Sequence, residues 1–199
     1  MDGSAPSDDL AGADLVESVV DSRVLHKGRY LTFRVDTIER ADGSRSTREI
    51  AGHPGAVAIL ALDAEDQVLM VRQFRLAAGQ VLLEIPAGTL DTAEDGSVED
   101  PDLAAPRELE EETGRRAGTW RLLGRFYTAP GFTEELMSLY LATDLRSAGG
   151  DRLGPDEDER LLVERIPWRD ALAMAEAGEI LDAKSLVALF WLARLRSSA

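Results

Sequence analysis

The chain has 199 residues, no cysteine and a formal net charge of −15, and this length allows one domain with a sizeable core. The acidic balance argues against a nucleic-acid-binding protein, which needs a basic face, and the longest apolar runs, Ala56–Leu62 and Leu186–Ala193, are too short to cross a bilayer. The lack of cysteine excludes disulfides, thiolate metal sites and cysteine nucleophiles, and it is consistent with a cytoplasmic protein.

The N-terminal quarter is expected to contain a tail followed by a group of strands. Residues 1–13 are small, polar and acidic, a composition typical of a disordered tail. Residues 14–52 contain two stretches with the Val, Leu, Tyr and Phe residues expected of strands, and the turn Ala41-Asp42-Gly43-Ser44 separates the second from a third, short strand. These expected strands are Glu17–Leu25, Leu31–Glu39 and Thr47–Ile50.

Residues 53–199 are expected to form the main domain, an α/β fold in which helices flank a mixed β-sheet. Ala56–Leu62 is almost entirely apolar, as in a strand that is buried on both faces. The other expected strands are Val68–Phe74, Val81–Ile85, Trp120–Thr128, Met137–Thr143 and Leu161–Ile166. The expected helices are Leu103–Thr113, Trp168–Ala177 and Ala183–Arg196, and the apolar face of the last is broad enough that it must pack on the sheet.

The helix that ends at Thr113 carries a dense group of acids. At about 100° per residue, Glu112 lies about 40° from Glu108 and Glu111 about 60° away on the other side, so these three carboxylates share one face. Glu110 points away from them and is expected to be solvated. Arg107 lies one helical turn before Glu111 and can pair with it. A glutamate run is usually a solvated face, but the alternative is a site for Mg²⁺ or Mn²⁺, because these hard cations prefer carboxylates.

The surrounding sequence favours the metal site. Arg107–Gly114 matches the core REUxEExG of the Nudix box, and Gly88 precedes it at the end of an expected strand. The chain therefore resembles the Nudix hydrolases, which have an α/β/α sandwich and a loop–helix–loop that places magnesium ions on a diphosphate. The resemblance implies that Glu108 and Glu112 are metal ligands, that Glu111 is a ligand or a catalytic support, and that the Ala87 carbonyl also binds a metal.

The box departs from the family pattern G-x5-E-x7-R in its loop. Glu94 keeps the first spacing from Gly88 and Glu99 keeps the second spacing to Arg107, so either acid could take the place of the first Glu. Arg115 stands where the family has an apolar residue. Because a proline inside a helix removes a hydrogen bond, we expect the helix to begin at or just before Pro106 rather than earlier.

Further motifs resemble the ADP-ribose pyrophosphatase branch of the family, over roughly Ala56 to Arg196. Pro130 occupies the offset from the box at which these enzymes have a proline, and residues 71–75 (VRQFR) and 83–88 (LEIPAG) match two of their motifs. The resemblance implies a set of substrate-binding residues. These are Arg75, Glu84, Gly88, Pro130 and Phe132.

Two of these residues keep a structural alternative. Arg75 would donate paired N–H groups to a phosphate, or it would form a surface ion pair. Glu84 would bind the adenine or support the metal ligands, or it would serve the strand alone. His26 and His53 are isolated, and a structural role is expected for both.

The acidic segment 155–159 (PDEDE) precedes the last expected strand. Acidic loops are usually just solvated, but in ADP-ribose pyrophosphatases this loop carries the catalytic glutamate. The resemblance thus implies Glu157 as the general base and Glu159 as an assistant at a metal, with the choice between them open.

The function that the resemblance implies is magnesium-dependent cleavage of ADP-ribose to AMP and ribose 5-phosphate, with Mn²⁺ as a possible substitute. The alternatives are another nucleoside diphosphate derivative, such as a nucleotide sugar or a dinucleotide, and a Nudix-like module that binds ADP-ribose without cleaving it. The expected partners are the small-molecule substrate and a second copy of the chain, joined through the N-terminal strands, with neither nucleic acid nor membrane.

Overall fold

The computed structural model describes residues 15–150, 153–154 and 160–197. The expected N-terminal tail lies outside these ranges, and so do Glu157 and Glu159. The chain divides into two compact units: residues up to His53 together with Ala129–Glu135, and Pro54–Thr128 together with the chain from Leu136 onward. No helix within the described ranges has the length and apolar character needed to cross a membrane.

The N-terminal unit is a three-stranded antiparallel sheet in the order β1-β2-β3. Its strands are β1 (Glu17–Lys27), β2 (Thr32–Arg40) and β3 (Arg45–Gly52). All three strands predicted from the sequence are therefore confirmed. The segment Ala129–Glu135 joins this unit because the Ala51 amide donates to the Phe132 carbonyl over 2.8 Å.

The second unit contains two sheets, which confirms the predicted mixed sheet. One is four-stranded in the order β7-β4-β9-β8, with β4 parallel to β9 and the other pairs antiparallel. The other is antiparallel in the order β10-β5-β6. The strands are β4 (Ala56–Ala61), β5 (Gln67–Arg75), β6 (Gln80–Glu84), β7 (Ala87–Thr89), β8 (Arg115–Tyr127), β9 (Leu136–Ser147) and β10 (Leu161–Pro167). Of these, only the short β7 was not expected, because its Ala-Gly sequence is typical of a turn.

Among the residues that the structure describes, three helices flank these sheets: α1 (Pro101–Thr113), α2 (Trp168–Glu176) and α3 (Ala183–Arg196). Strand β4 shows how the layers are built, because side chains alternate between the two faces of a strand. Val57, Ile59 and Ala61 pack with Ala105 and Leu109 of α1. The alternate residues of β4 pack instead in the cluster that contains residues of α2 and α3, as the apolar face of α3 predicted. The result is an α/β/α sandwich, with α1 on one side and α2 and α3 on the other.

Candidate active site

Helix α1 begins earlier than the sequence predicted. Asp100 caps it by accepting a hydrogen bond from the Asp102 amide at 3.0 Å, and Pro101 occupies the first turn, where a missing N–H costs nothing. The prediction of a start at or near Pro106 is therefore wrong. Pro106 lies inside the helix, so the chain gives up the hydrogen bond from residue 106 to the Asp102 carbonyl. Burial of Ala104, Ala105 and Leu109 in the core offsets this loss.

The carboxylate of Glu108 lies directly against the backbone of Gly88. A Cβ atom at residue 88 would stand 2.0 Å from Cδ and 2.1 Å from Oε1 of Glu108, which is far inside van der Waals contact. Any side chain at this position would displace the Glu108 carboxylate, so the glycine allows β7 and the helix to approach closely. Glu108 is 9% exposed, and its carboxylate faces Gly88 of β7 rather than bulk solvent.

Glu112, one helical turn after Glu108, faces the same segment of β7. Its Oε2 accepts a hydrogen bond from the Ala87 amide at 3.2 Å, and the residue is 7% exposed. Glu108 and Glu112 thus lie on one face of α1, as the helical spacing predicted. Two adjacent backbone units, those of Ala87 and Gly88, line the space opposite them.

Arg107 forms ion pairs with three glutamates of this region. Its Nη1 is 2.9 Å from both Glu108 and Glu111, and its Nη2 is 2.7 Å from Glu99. The predicted pair between Arg107 and Glu111 is therefore confirmed. Hydrogen bonds from Arg107 hold the pKa of Glu99 below its ordinary value, and the same contacts with Glu99 raise the pKa of Arg107.

The contacts of Arg107 distinguish Glu99 from Glu94, the two candidates for the first Glu of the box. Glu99 is bound by two nitrogens of Arg107. Glu94 is exposed, and no hydrogen bond or ion pair joins it to another described residue. The spacing to Arg107, rather than the spacing from Gly88, therefore identified the acid that contacts the helix.

Glu110 is not solvated, contrary to the expectation. It is 7% exposed, and both of its oxygens are 2.6 Å from the guanidinium of Arg116. It also accepts a hydrogen bond from the Leu153 amide at 3.1 Å. The hydrogen bonds of Arg116 lower the pKa of Glu110. The helical spacing correctly predicted that Glu110 points away from Glu108. It could not predict that Arg116, at the start of β8, lies on that side of the helix and pairs with Glu110.

Arg75 and Glu84 form a pair that the sequence did not reveal. Nε and Nη2 of Arg75 each donate to a Glu84 oxygen at 2.8 Å. Lys184 of α3 makes a further ion pair with Glu84, which is only 1% exposed. Lys184 was missed in the sequence because it follows Glu84 by 100 positions. The signal available was indirect, since an acid in a buried strand requires a cationic partner.

Pro130 and Phe132 lie in the segment Ala129–Glu135 of the N-terminal unit, and both side chains are exposed. This segment is fastened within its unit by an ion pair between Arg34 and Glu134 at 2.6 Å. The backbone of Ala51 also bonds to it on both sides of Thr133.

The donor set around Glu108 suits a hard divalent cation. It consists of carboxylate oxygens and backbone, with neither sulfur nor imidazole in the contacts described above, and such a set is preferred by Mg²⁺ and Mn²⁺. Within the described ranges, no three acidic or histidine side chains are already gathered around one metal position. Arg107 lies between Glu108 and Glu111, so a cation that uses both would have to share these carboxylates with the arginine.

A mixed sheet between helices, with glutamates of α1 set against the Pro86-Ala87-Gly88 segment, is the arrangement expected of a Nudix hydrolase. The family model described as NUDIX domain matches residues 52–189, and the chain therefore belongs to the Nudix family. Residues 17–51 match a second model, described as nucleoside diphosphate sugar hydrolase N-terminal domain. The Nudix hydrolases generally use divalent metal ions.

Named relatives support this assignment. The chain is 38% identical to an ADP-ribose pyrophosphatase of Bacillus subtilis over 89% of its own length and 93% of the relative. It is 35% identical to a GDP-mannose pyrophosphatase of Citrobacter koseri, over 78% of its length and 82% of that relative. A crystal structure of an ADP compounds hydrolase superposes with a TM-score of 0.76, covering 92% of this chain and 95% of that one. The identity of 23% in that pair supports the shared fold alone.

Proposed function

We propose that this chain hydrolyses ADP-ribose with Mg²⁺ to give AMP and ribose 5-phosphate, and that Mn²⁺ can substitute. Water adds to one phosphorus, the bridging P–O bond breaks, and each product keeps one phosphate. The observation that carries the proposal is the approach of Glu108 and Glu112 to the Ala87–Gly88 turn, where a Cβ atom would collide with Glu108. The relative named ADP-ribose pyrophosphatase supports the choice of substrate.

The proposed roles combine the family resemblance with the contacts of the side chains described above. Glu108 and Glu112 would hold the metal, with Glu111 and the Ala87 carbonyl in support, and by the family resemblance the backbone of Gly88 would contact the substrate. A divalent ion here supplies neutralisation of the diphosphate and stabilisation of transition-state charge. Arg75 would contact a phosphate, since its side chain is 39% exposed. For Pro130 and Phe132, a role in substrate binding is proposed by the family resemblance alone.

The general base is proposed by resemblance alone. Glu157 would accept the proton of the attacking water and Glu159 would assist, or the two would exchange roles. The proposed role of Glu84 changes in the light of its contacts. Because it is buried and already bonded to Arg75 and Lys184, we assign it to orienting Arg75 rather than to direct contact with adenine.

The test is release of AMP from ADP-ribose by the purified chain. We expect turnover with Mg²⁺ and its loss when the ion is chelated. Glu112→Gln should lower kcat by orders of magnitude and leave the fold intact, because an amide is a poor ligand for a hard cation. Glu176→Gln, at an exposed position on α2, is the matched control and should behave as the wild type. A fully active Glu112→Gln enzyme would overturn the assignment.

A nucleotide sugar is the second candidate substrate, because of the N-terminal family match and the GDP-mannose pyrophosphatase relative. A panel of ADP-ribose, GDP-mannose and a dinucleotide, compared by kcat/KM with Mg²⁺, separates these substrates. The intact Glu108, Glu111 and Glu112 favour an enzyme over a module that only binds ADP-ribose.

We further propose a cytoplasmic homodimer. On β1 and beside it, Val16, Val19, Val20 and Val24 are each at least 45% exposed, and exposed apolar groups of this kind are typical of interaction surfaces. Light scattering should give twice the chain mass, and a monomer at all concentrations would contradict the proposal.

A further inference from the structure

Glu84 is a buried carboxylate that depends on two cations. It closes β6, is 1% exposed, and accepts hydrogen bonds from Arg75 on one side and from Lys184 on the other. Burial opposes its ionisation, but these two partners outweigh burial and hold the pKa of Glu84 below its ordinary value. A buried charge with this many partners has a fixed position, because moving it would leave it unpaired.

Lys184 is itself held in place by the start of α3. It is 9% exposed, and its ammonium also lies 2.9 Å from Asp182 Oδ1. The other oxygen of Asp182 caps the helix by accepting from the Ser185 amide at 3.0 Å. Ser185 Oγ in turn accepts from the Ile85 amide at 2.8 Å. The beginning of α3 is therefore fastened to Glu84 and Ile85, directly before the Pro86-Ala87-Gly88 turn.

Arg75 uses only part of its guanidinium in this arrangement. Nε and Nη2 donate to Glu84, whereas Nη1 has no hydrogen-bond partner among the residues that the structure describes. The hydrogen bonds to Glu84 chiefly raise the pKa of Arg75, and the charge of Glu112 on α1 raises it further. One edge of the Arg75 guanidinium is therefore fixed by Glu84, and the N–H groups of Nη1 can donate to an anion.

We propose that Lys184 is a positioning residue for substrate binding. By sharing Glu84 it fixes the carboxylate that orients Arg75, so that the remaining donors of Arg75 meet a phosphate of the substrate. The inference rests on the proposed function and adds a residue outside the Nudix box. Without Lys184, Glu84 retains Arg75 as its only cation, and the pair can rotate together away from the position that binds phosphate.

The variant that tests this is Lys184→Met, which keeps the length of the side chain and removes its charge. We expect KM for ADP-ribose to rise about tenfold, the loss of roughly one charge-assisted hydrogen bond, with kcat changed by less than about twofold. Lys184→Arg should restore most of the affinity. Lys27→Met removes the only other lysine of the chain, at an exposed site, and should leave KM unchanged. A merely structural role would lower the active fraction, and hence kcat, at constant KM.

A double-mutant cycle shows whether Lys184 acts through Arg75. In an Arg75→Met background, Lys184→Met should add almost nothing to KM, whereas independent effects would multiply. Titration calorimetry with ADP in the absence of metal gives an equilibrium readout, and the same non-additivity is expected in Kd. A folded Lys184→Met protein with unchanged KM and unchanged Kd for ADP overturns this inference. A wild-type protein that binds ADP but cleaves no ADP-ribose overturns the proposed function instead.

Discussion

At the scale of single residues, Gly88 sets the distance between the turn and the acidic helix. The pattern of the box identified this glycine, but the sequence did not reveal that its missing side chain leaves room for the Glu108 carboxylate. A glycine that is needed for close approach, rather than for its backbone angles, can be recognised only when the partner surface is known.

We predict that Gly88→Ala lowers metal-dependent turnover at least tenfold, because its Cβ displaces the carboxylate of Glu108, and misplacement by about 1 Å can cost about a hundredfold in rate. Gly150→Ala is the control, since a Cβ there meets nothing within 4 Å. Initial rates over a range of Mg²⁺ concentrations measure the effect. Equal rates for Gly88→Ala and the wild type would show that Glu108 does not depend on this approach.

Glu99 gives a prediction in which pH is the variable. Its pKa is lowered from the ordinary value of 4.5 by Arg107, so its ionised form stabilises the folded chain at pH values above 4.5. That contribution is lost as the pH falls from 4.5 through the lower folded-state pKa. Glu99→Gln should therefore destabilise the protein at about pH 6, and the destabilisation should be smaller at about pH 3.

Urea unfolding at the two pH values measures this difference. Glu94→Gln is the matched control, because Glu94 is an exposed acid of the same loop, and it should have little effect at either pH. If Glu94→Gln were the destabilising change, the assignment of Glu99 as the partner of Arg107 would be wrong.

At the scale of elements, helix α1 has a well-capped N-terminus but contains a proline, Pro106, in its interior. Asp100 and Pro101 begin it, and the buried side of its first turns packs on β4. Pro106 does cost the helix a hydrogen bond, as the sequence prediction assumed, but the burial of Ala104, Ala105 and Leu109 outweighs that cost. Such an outcome requires knowledge of the partner strand, which local sequence does not contain.

The internal proline leads to a prediction of stability. Pro106→Ala provides an N–H for the Asp102 carbonyl and should stabilise the protein by roughly 1 kcal/mol, because restoration of the helical bond exceeds the lost restriction of the unfolded chain. Thermal unfolding should show Tm raised by a few degrees, with kcat unchanged. A lower Tm would mean that the ring of Pro106 contributes more by packing than the missing bond costs.

At the scale of the whole molecule, periodicity predicted the elements and their layers well. The apolar run of β4 predicted burial on both faces, and the spacing of the acids predicted that Glu108 and Glu112 share a face. What could not be predicted were pairs distant in sequence, such as Glu84 with Lys184 and Arg34 with Glu134, each separated by 100 positions. No periodicity within an element encodes which remote side chain will reach a buried charge.

The proposed activity requires that one face of α1 bind a divalent ion. Titration of the wild-type chain with Mn²⁺, followed by the electron paramagnetic resonance of the free ion, measures that binding without any substrate. We predict saturable binding that is weakened at least tenfold by Glu112→Gln, the loss expected when a carboxylate ligand becomes an amide, and unaltered by Glu176→Gln. Equal affinity in all three proteins would contradict the assignment of the metal site.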